Sequence, residues 1–205
     1  MRAAERLFAI NGLENVSVRA IIVGAGQKNE SALQYHFGNR QGLVRALQVQ
    51  RNSEVNAKRA ELLRDMHQRD HQLTLREACT LMVKPAFLLC RTDNSFRDFL
   101  GVFGQLLLSS SRSVVSTLEE HEVEAMREMK DMLKSCLSHL DEELFETRFE
   151  NTARFATLSM SRRAQEKGSF RGKAADFFIN NLVDTMAAMM AAKPSRETLA
   201  ARQQQ

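Results

Sequence analysis

Apolar residues recur at spacings of three and four along nearly the whole chain, and no stretch alternates polar with apolar long enough to make a strand, which predicts an all-α fold. Ser17 starts a short helix containing Val18, Ile21 and Ile22, with Gly12 before it and Gly24 and Gly26 after it at points where helices stop. Three short helices fit before residue 38. Five of the nine glycines (Gly12, Gly24, Gly26, Gly38, Gly42) fall within the first 45 residues, and long helices follow. The pattern therefore divides the chain into 1–45 and 46–205.

Asn39 is placed to cap a helix running to about Met66, apolar at Leu43, Val44 and Leu47 and again at Leu62, Leu63 and Met66. Its polar middle suggests a wet strut between two cores, or else a surface helix with a thin stripe. Thr74 and Glu77 form a T-x-x-E capping box for a helix with Leu75, Ala78, Cys79, Met82, Ala86 and Leu89 on one face, kinked at Pro85. Ser95 begins another, with Phe96, Phe99, Leu100, Phe103, Leu106 and Leu107 in register. A helix from about Val114 to Leu140 carries Ala125, Met129, Met132, Cys136 and Leu140 on one stripe.

The last two long helices are richer in apolar residues than one buried stripe requires. Asp141 caps the first, where Phe145, Phe149, Thr152, Ala153, Ala156 and Met160 share a face. The second follows Gly168 and Gly172 and carries Phe178, Leu182, Met186 and Met190, with Ala187, Ala188 and Ala191 beside them. Small residues next to Met and Phe permit close helix approach, so the pair is expected to form a four-helix bundle with a two-fold mate, through Phe149, Ala153, Ala156, Met160, Phe178, Leu182, Met186 and Met190. The alternative is that they close the monomer's own core. The tail from Lys193 is polar and expected to fray.

With 205 residues, 43% of them hydrophobic and 26% charged, the chain can bury a sizeable core. Cys79, Cys90 and Cys136 are odd in number and lack CxxC spacing, which argues against a disulfide framework or a zinc knuckle and for buried thiols in a reducing cytoplasm. No apolar run approaches the roughly 18 to 20 residues of a membrane span, and MRAAERLF is amphipathic rather than a signal peptide, so a soluble cytoplasmic protein is expected. The net charge is +4. Residues 1–45 hold six basic groups against three acidic ones and so carry +3 of it, compatible with a phosphate-facing surface or with an ordinary solvated face.

Residues 17–37, SVRAIIVGAGQKNESALQYHF, read as helix, glycine turn, helix, and Gly38-Asn39-Arg40 leads into the long helix. This is the layout of a helix-turn-helix, in which one helix enters the major groove and the preceding one crosses it steeply. Val18, Ile21, Ile22, Ala25, Leu33 and Phe37 would hold the unit together. Lys28, Asn29, Ser31, Gln34, Tyr35 and His36 would face outward, a set able to bond phosphates or base edges.

On these residues the chain closely resembles the tetracycline-repressor (TetR) family. The match runs Ala3-Ala4-x-x-Leu7-Phe8-Ala9-x-x-Gly12, Ser17-Val18-Arg19-x-Ile21, Ala25-Gly26, and Leu33-x-Tyr35-His36-Phe37-Gly38-Asn39-Arg40-x-Gly42-Leu43. It spans about 43 residues; the body behind them shows no matching motif. The resemblance implies an N-terminal helix-turn-helix domain over 1–45 and a helical ligand-binding and dimerisation domain over 46–205. It further implies a homodimeric regulator in the bacterial cytoplasm, associated with the nucleoid, that grips double-stranded operator DNA, needs no cofactor and responds to a small apolar effector. Ser31, Ala32, Gln34 and Tyr35 would lie nearest bases, and Tyr35, His36 and Arg40 would hold phosphates with help from Ser17 and Arg19.

Three departures stand out. The family's first helix usually begins several residues before the Ala-Ala pair, so part of that start is expected to be missing. The turn after Ala25-Gly26 is one residue longer than the commonest spacing, with Gln27 where an apolar residue is usual. Glu30 either caps the helix N-terminus, the reading favoured here, or accepts from a cytosine amino group.

Phe87, Phe96, Phe99, Phe103, Met126 and Met129 are candidates to line an effector pocket, since Phe and Met adapt to varied shapes. His67 and His71 have a metal-ligand spacing, but DMHQRDHQ is so polar that a solvated helix end fits better. His121 and His139 lack partners for acid-base work, and no catalytic constellation is visible. Two other classes compete with the regulator: a helical adaptor binding only protein, and a metal- or small-molecule-binding helical bundle or enzyme without DNA binding.

Overall fold

A computed structural model describes residues 1–27, 29, 31–68, 73–109, 123–166 and 170–202. Among them are ten helices and no strand: α1 (Arg2–Asn11), α2 (Val18–Gly24), α3 (Ser31–Phe37), α4 (Arg40–His67), α5 (Leu75–Thr92), α6 (Asn94–Ser109), α7 (Val123–Cys136), α8 (Glu142–Gln165), α9 (Lys173–Ala191) and α10 (Arg196–Arg202). Side chains named from the sequence build several helix starts. Asn39 accepts from Gly42 N at the head of α4, and Asp141 accepts from Leu144 N at the head of α8. Thr74 and Glu77 satisfy each other's backbone N–H reciprocally at the head of α5.

Two apolar clusters organise the chain. The first joins Ala4 and Phe8 of α1, Ile21 and Ile22 of α2, Leu33 of α3, and Leu43 and Leu47 of α4, and it reaches across to Val102 of α6. The second gathers α5 to α9 around residues such as Leu81, Phe96, Met129, Leu133, Phe145, Phe149 and Met186, each 1% exposed or less. The N-terminal helices are thus seated on α6, and α1 packs along it.

Helix α4 runs through both clusters, and its polar middle is exposed on one side, at Gln50, Ser53 and Glu61, and buried on the other. Arg51, Asn56 and Arg59 are buried, continuing at steps near four the stripe that begins with Leu43 and Leu47 and ends with Leu63. Arg51 is paired there with carboxylates from three helices' ends and faces, which is how a charged residue is tolerated on a buried stripe.

Other boundaries move for local reasons. Helix α6 starts at Asn94 rather than Ser95, because the Asp93 carboxylate accepts from both Ser95 N and Ser95 Oγ. The described part of α7 begins at Val123, residues 114–122 lying outside the described residues, and it ends at Cys136, four short of Leu140. Tight bonds from Leu137 N to Lys134 O and from Leu140 N to Leu137 O turn the chain there and drop Leu137 into the core. Helix α5 continues through Pro85. Part of the tail expected to fray forms α10, with Thr198 N donating to Ser195 Oγ. The three cysteines are unpaired, and burial pushes the Cys79 and Cys90 thiols up to about 12. No helix among the described residues is long and apolar enough to cross a membrane.

Candidate nucleic-acid interface

The candidate interface is assembled from α2, the turn after it and α3. Ser17 Oγ accepts from Ala20 N and fixes the start of α2. The end of α2 is closed by two bonds, Gln27 N to Ile22 O and Gly26 N to Val23 O, with Gly26 at φ +68°, a left-handed conformation that a side chain would strain. Asn29 Oδ1 accepts from Ser31 N, 2.8 Å away, where α3 begins. Leu33 then points into the first core, with Phe37 packed beside it. The sharp corner into α4 depends on Gly42: a Cβ there would run into the Phe37 carbonyl.

With Leu33 inward, the opposite face of α3 is bare. Arg19, Asn29, Ser31, Gln34 and His36 are exposed, and Tyr35 is 86% exposed with its ring edge against His36, centroids 5.1 Å apart. Ser17 is exposed beside Arg19 at the start of α2. Ala32 lies within α3; Lys28 and Glu30, also expected on this surface, fall outside the described residues, as does the Ala32 side chain. Also exposed are Gln41, which the sequence did not single out, and Arg45, both in the first turns of α4 next to α3, together with Arg2 and Arg6 of α1; the three arginines are among the six basic groups counted in residues 1–45. Glu5 does not offset these cations at the surface, because it is 3% exposed and bound to Arg51.

Arg40, expected on phosphates, makes internal contacts in this structure. Its Nε donates to Val16 O at 3.1 Å, its Nη2 donates to Leu13 O, and the guanidinium lies over the Phe8 ring. The loop between α1 and α2 leaves those carbonyls without helical partners, and Arg40 donates to both, fastening the domain from within.

Behind the helix-turn-helix, a cavity of about 140 Å³ lies between α4, α5, α6, α7 and α8. Phe96, Phe99, Met126 and Met129 line it as expected, and so do Asn56 and Arg59, which the sequence reading passed over. Phe87 does not: its ring is held edge-on by Phe170 and covered by the Arg91 guanidinium. Phe103 belongs to α6, but its side chain lies outside the described residues. His67 sits 3.0 Å from Glu128 Oε1, and His71 falls outside the described residues.

The residues chosen for a two-fold interface serve this chain's own core instead. Phe149, Ala156, Met160, Leu182, Met186 and Met190 are buried within the single chain. Ala153 lies on the cavity wall and Phe178 under Arg163, whose guanidinium is 5.2 Å from the ring centre. The reason is that α5 and α6 cover the inner stripes of α8 and α9. What α9 turns outward is another set, including Phe177 at 72% exposure with Asn181 and Ala188 in line.

No curated protein matches the chain significantly. Two family descriptions do: "Bacterial regulatory proteins, tetR family" over residues 1–47, and "Tetracyclin repressor-like, C-terminal domain" over residues 80–192. The first covers the three short helices and the start of α4, where Gly26, Gly42 and Arg40 hold α3 outward; the second covers most of the helical body, more than half the chain. With both halves matched in order on an all-helical fold, the chain belongs to the TetR family and is a DNA-binding transcriptional regulator.

Proposed function

We propose that this regulator is a ligand-responsive repressor that grips a near-palindromic operator as a homodimer. The observation that carries the reading is the bare outer face of α3. Gln34, Tyr35 and His36 project from a rod only seven residues long whose other side is anchored by Leu33. Such a rod fits one major groove, and Ser31 and Gln34 reach base edges while Tyr35, His36, Ser17 and Arg19 hold phosphates. Exposed Arg2, Arg6 and Arg45 add to the positive surface. The outward face of α9 around Phe177, with α8 beside it, meets the same face of a second copy, and this pairing spaces the two reading heads about one helical turn of DNA apart.

Ligand response is supported by shared residues rather than by distance. Phe99 lines the cavity and also a small gap lined by Glu5, Phe8 and Val44 of the N-terminal domain. Phe96 lines the cavity too, and the Arg51 guanidinium bound to Glu5 lies 5.6 Å from its ring centre. A ligand that displaces either ring pushes on the seat of α1, and a small rotation of one head loses the second groove.

Fluorescence-anisotropy titration against DNA from upstream of the chain's own gene, at several salt concentrations, tests the reading. A specific, salt-sensitive affinity is expected. Affinity for no DNA at any salt would leave only the two classes without DNA binding, and sedimentation as a monomer at micromolar concentration would remove the dimer.

A further inference from the structure

We propose that the cavity takes a small organic anion, a monocarboxylate on a compact apolar body, with its carboxylate on Arg59 and Asn56. The inference rests on the ligand-response reading and names the chemistry of its effector.

The cavity wall is mostly apolar, with Phe96, Phe99, Met126 and Met160 among its residues; besides Thr157 of α8, its polar groups lie on α4, where Arg59 makes one side cationic. Arg59 is 3% exposed. Its Nε donates to Leu81 O at 3.2 Å and its Nη1 donates to Asn56 Oδ1. Leu81 O is available because Pro85, four residues on in α5, has no N–H to give it. Both acceptors are neutral. No carboxylate among the described residues lies within ion-pair distance of this guanidinium, whereas Arg51, two turns earlier on the same helix, meets Glu5, Glu54 and Asp93.

Burial alone pulls Arg59 down to about 10, so it remains charged at neutral pH. A buried cation without a counter-charge is costly, and an incoming carboxylate removes that cost. Asn56 adds a second donor: its Nδ2 is buried on the same wall with no hydrogen-bond partner. Size bounds the rest of the ligand. A cavity of about 140 Å³ is close to the roughly 150 Å³ that accommodates benzene, so the body is a single ring or a short acyl chain.

Calorimetry and thermal shift on the full chain, with benzoate and octanoate against benzamide and octanamide, test this. At least one acid is expected to bind about tenfold or more tightly than its amide. Arg59→Met should abolish the difference while the protein stays folded without ligand, since removal of an unpaired buried charge offsets the two hydrogen bonds lost. Asn56→Ser, a milder change, should weaken the acid and leave the amide unaffected. Amides binding as tightly as acids, or none of the four binding, would overturn the anion assignment. Acid binding that leaves DNA affinity unchanged would support the anion site and overturn only the ligand-response reading.

Discussion

Arg51 holds Glu5 through two parallel bonds, Nε to Oε1 at 2.7 Å and Nη2 to Oε2 at 3.0 Å, with both side chains buried. The pair ties α1 to the middle of α4 across 46 positions of sequence. Arg51 Nη1 also meets Glu54 and Asp93, so one guanidinium joins the N-terminal domain, the strut and the junction of α5 with α6. Burial works against its charge, but the bonds to Glu5 and Glu54 outweigh that and raise its affinity for the proton.

Glu5→Gln keeps an acceptor but removes the charge. It should destabilise the protein by about 1.5–3 kcal/mol, because Arg51 then lacks its most buried counter-ion. Urea unfolding measures this; an unchanged midpoint would show that Glu54 and Asp93 suffice. Affinity for DNA should fall as α1 loosens, with the salt slope unaltered.

Arg40→Ala distinguishes an internal tie from a phosphate contact. Losing the bonds to Leu13 O and Val16 O should cost about 1–3 kcal/mol of stability and leave the dependence of DNA affinity on salt as it was. A phosphate ligand would behave in the opposite way, with normal stability and a salt slope smaller by about one.

On the outer face, Gln34→Ala should lose about 1–3 kcal/mol on the preferred operator and little on random DNA. Arg19→Ala should weaken both alike and flatten the salt slope. Equal losses on specific and random DNA for Gln34→Ala would remove it from base readout.

Gly42→Ala places a methyl group against the Phe37 carbonyl, which is backbone and cannot swing aside. The expected cost is about 1–3 kcal/mol, concentrated in the N-terminal domain. Hydrogen exchange should show α3 losing protection before α8 does. Uniform loss across the chain would contradict a local role.

Acid should loosen the same junction. Burial opposes ionisation of Asp93, but the bonds it accepts from Ser95 and Arg51 prevail and hold its carboxyl below the ordinary 3.8. A lowered folded-state value means that the stabilisation is fully present above pH 3.8 and is lost as the pH falls through the folded-state value. Asp93→Asn should therefore lower stability at neutral pH and reduce its fall below about pH 4. Parallel curves for the two proteins down to pH 2 would contradict the linkage.

The sequence by itself determined the all-helical class, the caps at Asn39, Thr74 and Asp141, and the helix-turn-helix, because each rests on residues within a few positions of one another. Spacing of three and four, a cap and a glycine are local facts, and local backbone physics turns them into helices and turns. The inward side of α3 was legible in the same way from Leu33 and Phe37. Even the burial of Arg51 and Arg59 had a trace, since both continue the stripe of Leu43, Leu47 and Leu63, though a polar residue on a stripe reads first as a break in it.

Tertiary structure alone decided which partner each of these side chains meets. Glu5 and Arg51, Arg40 and the Leu13 carbonyl, Arg59 and the carbonyl that Pro85 leaves free are far apart in sequence, and no periodicity connects them. It also decided which face of α8 and α9 is inside: their apolar stripes are equally suited to the chain's own core or to a second copy, and the packing of α5 and α6 assigns them to the core. Hydrophobic burial is non-directional, so a pattern specifies that a face is covered, while only the packed chain specifies by what.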